Sequence, residues 1–210
     1  MATTTFLYDD ACPMCKGYTG VFTHLNWSER RPFSHLKAGD IPALDLDRGR
    51  HEIPLYDAAT GEVRYGLDAM TTVVGNALPR LKPLLRSRFF IAALKPLYWL
   101  ITYNRRVIAG TKPPATGFDC APDYHVGWRL TYLGFAAVAV LLLDFPCAPL
   151  LAGLGLALIV GMFLHSDRLT FLGHFATVTL AAAILLAVLP GWVGVGAAYL
   201  FAGWEGWRRC

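Results

Sequence analysis

From Ala69 to Phe118 the chain has no acidic side chain, yet it carries eight basic ones there: Arg80, Lys82, Arg86, Arg88, Lys95, Arg105, Arg106 and Lys112. Charge is scarce overall. Asp, Glu, Lys and Arg make up 16% of the 210 residues, against 55% hydrophobic, where a soluble globular domain holds about a quarter charged. That balance points to a membrane. A basic block beside apolar helices fits anionic lipid headgroups better than nucleic acid, so lipid is the expected partner and nucleic acid is not. Also missing are a second CxxC and any HxxxH, which weighs against a four-ligand zinc site; His24 and His35 have no ligand spacing to either cysteine. No cofactor is expected. Met1–Thr5 contains no basic residue, and Phe6–Tyr8 is too short for the apolar core of an export signal. The N-terminal part is therefore expected in the cytoplasm, where thiols are kept reduced.

What is present in the first half is an alternation of short elements. Thr4–Asp9 reads as a buried strand. Pro13–Asn26 reads as a helix with Tyr18, Val21, Phe22 and Leu25 on one apolar face. Pro32–Leu36 is a candidate second strand and Ile41–Leu46 a short helix or loop. "EIPLYDAATGEVRYG" reads as a hairpin of Ile53–Asp57 and Glu62–Tyr65 around "AATG". Leu67–Leu85 follows as a helix with Met70, Val73, Val74, Ala77, Leu78 and Leu81 on one side. The order strand–helix–strand–(helix)–strand–strand–helix is the layout of an α/β thioredoxin-like domain.

Within it, "FLYDDACPMC" puts Cys12 at or next to a helix N-cap, with Pro13 in the first turn, where its missing N–H costs nothing. The unpaired N–H groups and the positive end of the helix dipole favour a thiolate at Cys12. Cys15, three residues on, shares that helical face one turn deeper. Cys12 is then the nucleophile and Cys15 the resolving thiol; half of a metal site and a chemically idle pair stay open as other readings. Asp9 is either a proton relay for the leaving Cys15 or the residue that ends the strand and holds backbone N–H groups. Pro54 precedes the third strand, where thioredoxin-like proteins commonly place a cis-proline facing the cysteines and the substrate; an edge-strand proline is the other reading.

"LYDDACPMCKGY" resembles the thiol-disulfide oxidoreductase DCC family through its D-x-x-C-x-x-C signature, here Asp9, Cys12 and Cys15. "EVRYGLDAM" and "LYWLITYNRRVIAG" are similar to the family's last helix and its closing Asn-Arg motif. The resemblance covers residues 4–110 and implies a thioredoxin-like fold and disulfide exchange with a protein or small-molecule thiol or disulfide. Asp10 stands where the family usually has glycine, and Arg106 where it has tyrosine. A carboxylate beside Cys12 opposes thiolate formation.

"RSRFFIAALKPLYWLITYNRR" is interrupted by Lys95 and Pro96; it reads as a helix capping the domain or one lying on a bilayer. The expected domains are 1–110, a linker over 111–126 ("GTKPPATG" within it) and an all-α transmembrane half over 127–210. That half has four apolar stretches, with spans near 128–144, 148–165, 170–189 and 191–207. Trp128, Trp192, Trp204 and Trp207 sit at their ends, as in interfacial belts. His165 and His174 border the second and third spans as interfacial histidines or haem ligands.

The sequence therefore supports a membrane-anchored thiol-disulfide oxidoreductase in a membrane of the bacterial inner type. Two other readings stand beside it: a non-catalytic membrane assembly protein, and a subunit of a membrane electron carrier. With both termini in the cytoplasm, Arg129, Arg168, Arg208, Arg209 and the basic block fall inside, and the outer turns "DFPCAP" and "PGW" hold no Lys or Arg, the asymmetry of the positive-inside rule. Of the five cysteines this leaves Cys147 alone outside, with Cys12, Cys15, Cys120 and Cys210 inside. A membrane-impermeant thiol reagent on intact cells is expected to label Cys147 at most; labelling of Cys12 would overturn the topology.

Overall fold

The computed structural model describes residues 4–37, 39–111, 122–143 and 148–209, the side chains of 148–152 excepted. Cys120, Cys147, Cys210 and most of the linker lie outside them. The chain forms two compact units, one built on the residues up to Arg105 and the other on Arg106–Thr111 with the helices after His125.

The first unit is an α/β domain. Its elements are β1 (Thr4–Tyr8), α1 (Pro13–His24), β2 (Glu29–Pro32), α2 (Leu46–His51), β3 (Pro54–Asp57), β4 (Val63–Tyr65), α3 (Gly66–Ala77), α4 (Lys82–Leu85) and α5 (Arg88–Ala109), whose last residues belong to the second unit. The strands form one mixed sheet in the order β2-β1-β3-β4. β1 runs parallel to β2 and antiparallel to β3, and β3 pairs antiparallel with β4. A crossover through α1 is what a parallel β1–β2 pair requires, whereas β3 and β4 need only a tight turn.

Side-chain alternation explains the core. Phe6 on β1, Ile53 and Leu55 around β3, and Ala69 and Val73 on α3 form a buried cluster, with Tyr18, Phe22, Trp27 and Met70 packed against it. The Phe6 and Phe22 rings stack at 5.4 Å. Fully burying side chains of this size is worth about 1.5–3 kcal/mol each.

Several boundaries differ from the sequence reading. β2 is Glu29–Pro32, and Phe33–His35 is a 3-10 turn. β2 is an edge strand, and edges carry charge rather than an apolar pattern, so "ERRP" gave no periodic signal. The helix expected at Ile41–Leu46 begins instead at Leu46, after Asp45 accepts a bond from the Arg48 N–H as N-cap. The single helix expected over Leu67–Leu85 is broken into α3, a 3-10 turn at Pro79–Leu81, and α4, because Pro79 and Pro83 cannot donate to the helical ladder. On α1 the inward face holds Cys15 and Thr19 with Tyr18 and Phe22, while Val21 and Leu25 are exposed.

In the second unit, α6 (Val126–Leu142), α7 (Ala148–Leu164), α8 (Arg168–Val188) and α9 (Gly191–Arg209) follow one another. Among the described residues only α8 is long and apolar enough to cross a bilayer by itself; α6 and the Gly153–Leu164 part of α7 are apolar but shorter. The end of α5 is closed here. Val107 O and Ile108 O (3.1 Å) accept from Arg209, and Ala109 O (3.1 Å) and Gly110 O (3.0 Å) accept from Arg208. Arg106 O takes the Thr111 N–H at 3.1 Å. All four terminal carbonyls of α5, which lack partners within the helix, are thereby bonded. Gly110 turns the chain at φ +66°, and a Cβ there would lie 2.5 Å from the Arg208 guanidinium.

Gly66 opens α3 at φ +59°, and a Cβ there would sit 3.1 Å from the Tyr98 hydroxyl and 3.3 Å from the Glu52 carboxylate. Gly66→Ala combines left-handed strain with crowding and is expected to lower stability by about 1–3 kcal/mol, read as a reduced unfolding midpoint of the full chain.

Candidate functional site

The site is assembled where β1 hands over to α1. Asp9 leaves the strand and its Oδ1 accepts the Ala11 N–H at 2.8 Å, while its carbonyl accepts the Cys12 N–H at 3.2 Å. This side-chain turn sends the backbone into the helix, so the buried Asp9 is seen in the strand-ending role. Cys12 is the N-cap residue in extended conformation (φ −93°, ψ 113°), followed by Pro13, and its carbonyl accepts the Lys16 N–H at 3.0 Å. Its own side chain makes no capping bond to the helix N–H groups. The neighbouring carboxylate of Asp10 takes a bond from Ser34 Oγ at 3.0 Å.

Both cysteines are buried, Cys12 5% exposed and Cys15 3%. Polar groups approach the Cys15 sulfur. Tyr18 Oη donates to it at 3.7 Å, and Arg105 Nη1 lies at 4.0 Å. Arg105 is held by backbone carbonyls: Nη2 donates to Arg50 O (2.8 Å) and His51 O (3.4 Å), and Nε to Thr102 O (3.3 Å). The phenol of Tyr18 is pushed well above its ordinary pKa by burial, reinforced by Cys15. It stays protonated through the neutral range and remains a donor. Tyr98, one turn before Thr102, is also raised by burial.

These groups face a cavity of about 350 Å³ lined wholly by the first unit, among them Met14, Cys15, Tyr18, Ile53, Met70, Tyr98 and Arg105. A positive guanidinium and a phenolic donor beside a sulfur stabilise negative charge on it. Cys12 has the helix N-terminus for the same purpose.

Pro54 differs from expectation. Among the described residues there is no cis peptide bond, so Ile53–Pro54 is trans. Pro54 is the first residue of β3, paired with Tyr65, and is fully buried. A Cβ on Gly49 of α2 would meet its ring at 3.3 Å. First position in a strand suits a residue with no N–H to give, and a trans bond carries the extended chain into the ladder. Ile53, not Pro54, lines the cavity; the cis isomer expected at Pro54 does not hold.

His24 ends α1, about 18 Å along the axis from Cys12. His174 Nδ1 accepts from Arg209 at 3.0 Å, and His165 Nδ1 lies 3.1 Å from Gly161 O. Among the described residues no three His, Cys, Asp or Glu cluster as metal ligands. Arg105 is a residue for which the sequence offers no chemistry, only the expectation that it and Asn104 could cap or brace the redox helix. It stands ninety positions from Cys15, and its only signal was the Asn-Arg-Arg run closing an aromatic-rich helix. No family model, curated protein or solved structure matches the chain.

Because Arg105 brings a positive charge to 4.0 Å from the Cys15 sulfur, Arg105→Gln in a Cys12→Ser background is expected to slow alkylation of Cys15 near neutral pH about tenfold, given that a cation at such range shifts a thiol by about one unit or more. Unchanged kinetics, followed by mass spectrometry of the labelled protein, would remove Arg105 from the site.

Proposed function

We propose that this protein is a membrane-anchored thiol-disulfide oxidoreductase of the DCC type, working through Cys12 and Cys15 on the cytoplasmic side. The observation that carries the reading is the placement of the pair: Cys12 caps a helix that Pro13 opens, and Cys15 sits between the Tyr18 hydroxyl and the Arg105 guanidinium. The strand order and the parallel β1–β2 pair beside an antiparallel β3–β4 hairpin support the thioredoxin-like part of this reading.

In the proposed reaction the Cys12 thiolate attacks one sulfur of a substrate disulfide. The S–S bond breaks, one substrate thiolate leaves and takes up a proton, and a mixed disulfide forms on Cys12. Cys15 loses its proton and attacks the Cys12 sulfur; the second substrate thiol leaves, and the protein holds a Cys12–Cys15 disulfide. Two electrons have passed to the substrate, and an external dithiol returns the protein to its reduced form. Arg105 and Tyr18 favour the charged Cys15 that the second step needs. No bound cofactor enters the cycle.

The membrane reading rests on α6–α9 and their apolar surface. Leu141, Leu142, Phe163, Val188, Trp192, Leu200 and Trp207 are each more than two-thirds exposed, a density of bare apolar groups that suits lipid better than water.

Reduction of insulin disulfides by the full chain, supplied with dithiothreitol, tests the reaction. Wild type is expected to exceed the reductant-only rate, Cys12→Ser to fall to it, and Cys15→Ser to accumulate a mixed disulfide. A wild type no faster than reductant alone would favour the non-catalytic assembly role.

A further inference from the structure

The first unit bares apolar side chains where it is most basic. Phe89, the second residue of α5, is 89% exposed; Leu84 on α4 is 52% exposed and Leu97 on α5 49%. At 3.6 residues per turn, Phe89, Ala92, Ala93, Pro96 and Leu97 fall within an arc of about 140°, and all five are exposed. The other side of the helix is turned to the domain, where Leu94, Tyr98 and Thr102 line the cavity. α5 therefore buries one face and keeps a second apolar face outside, which packing of the domain does not require. Arg88 and Lys95, two turns apart, flank that outer arc on one side, and Arg86 stands exposed just before it. No acid lies between Ala69 and Phe118, and among the described residues the ion pairs take in none of these three cations.

An occupant has to satisfy both features. An apolar groove in a partner would bury Phe89 and Leu84 but leave the cations unmatched. A single-stranded nucleic acid would match the cations, yet it stacks on aromatic faces and would meet mostly leucine, alanine and proline. The boundary of an anionic bilayer takes both at once, because apolar side chains enter the acyl edge while Lys and Arg reach out to the phosphates.

We propose that the α4–α5 surface of the first unit lies on an anionic lipid bilayer, with Leu84, Phe89 and Leu97 in the acyl boundary and Arg86, Arg88 and Lys95 at the headgroups. This goes beyond the exchange reading. It rests on the membrane reading of α6–α9 in one respect, that those helices keep the domain at a bilayer.

Photocross-linking of the full chain tests it, in vesicles of phosphatidylcholine alone or with phosphatidylglycerol added. p-Benzoylphenylalanine takes the place of Phe89, of Leu84 or, as an exposed position outside this surface, of Ala58, and mass spectrometry identifies the adducts. Lipid adducts are expected at 89 and 84 and not at 58. They should rise severalfold with phosphatidylglycerol, since each cation near a charged membrane surface contributes a factor of about five. The triple variant Arg86→Gln, Arg88→Gln, Lys95→Gln should abolish that rise while keeping the unfolding midpoint of wild type, all three side chains being exposed. Adducts at 89 no more frequent than at 58, or a rise that survives the triple variant, would overturn the proposal. So would a cross-link from 89 to a second copy, to another segment of the chain or to an added oligonucleotide in place of lipid. Extraction by alkaline carbonate separates this from the anchor: a chain that resists extraction but gives no adduct at 89 fails the proposal alone, and one that is extracted yet gives lipid adducts at 89 fails the anchor alone.

Discussion

Arg105 holds the first unit's site together, and it does so by closing a helix. Arg50 and His51 are the last residues of α2, whose terminal carbonyls have no partner within a helix of that length. Arg105 donates to both, and to Thr102 on its own helix. A guanidinium near a helix C-terminus gains from the negative end of the dipole as well as from the hydrogen bonds. That combination lets a charge sit away from water at tolerable cost, since its donors face carbonyls rather than hydrocarbon. Nη1 of the same guanidinium lies 4.0 Å from the Cys15 sulfur. The geometry at the thiol is thus a by-product of a capping requirement. Replacing Arg105 removes a cap and a cation at once.

The second unit meets the same requirement with the same residue type. Arg208 and Arg209 bond the carbonyls at the end of α5, and both are in turn bound by Glu205, at 2.6 and 2.8 Å. Glu205 is buried, and a buried carboxylate is stable only when charged partners surround it. One glutamate between two arginines leaves the cluster with net positive charge, which suits a helix C-terminus. Gly110 is needed because the two arginines approach the backbone so closely that a side chain would collide with them.

How much of this was legible in the sequence follows from what each kind of pattern encodes. β1, α1 and the hairpin were readable because each buries an apolar run with a period that matches its geometry, and the four late helices because each is a long continuous apolar stretch. β2 was misplaced because "ERRP" lies on an edge and buries no such run. The α3–α4 break was readable in principle from Pro79 and Pro83, but the apolar spacing of Leu78 and Leu81 suggested continuity; both are substantially exposed. Cys12, Cys15 and Asp9 were found because their chemistry is local: four residues fix the turn, the cap and the pair. Pro54 was tied to the right strand, but the isomer of its peptide bond depends on what it packs against, here Gly49 of α2, which no spacing reveals. Arg105 could be read only as a residue able to brace the redox helix, and its contact with the thiol was hidden for the same reason. Its contacts to α1 and α2 exist only once the sheet has brought them together.

The two cysteines draw on different sources of positive potential, and this shapes what the pair can do. Cys12 has the backbone N–H groups at the start of α1, a fixed dipole that no ligand or titration removes. Cys15 has a side chain, Arg105, and a phenol that burial keeps protonated. The balance between the two thiols is therefore set by one backbone contribution and one side-chain contribution. The two thiols are therefore perturbed separately: the start of α1 acts on Cys12, and the Arg105 side chain acts on Cys15.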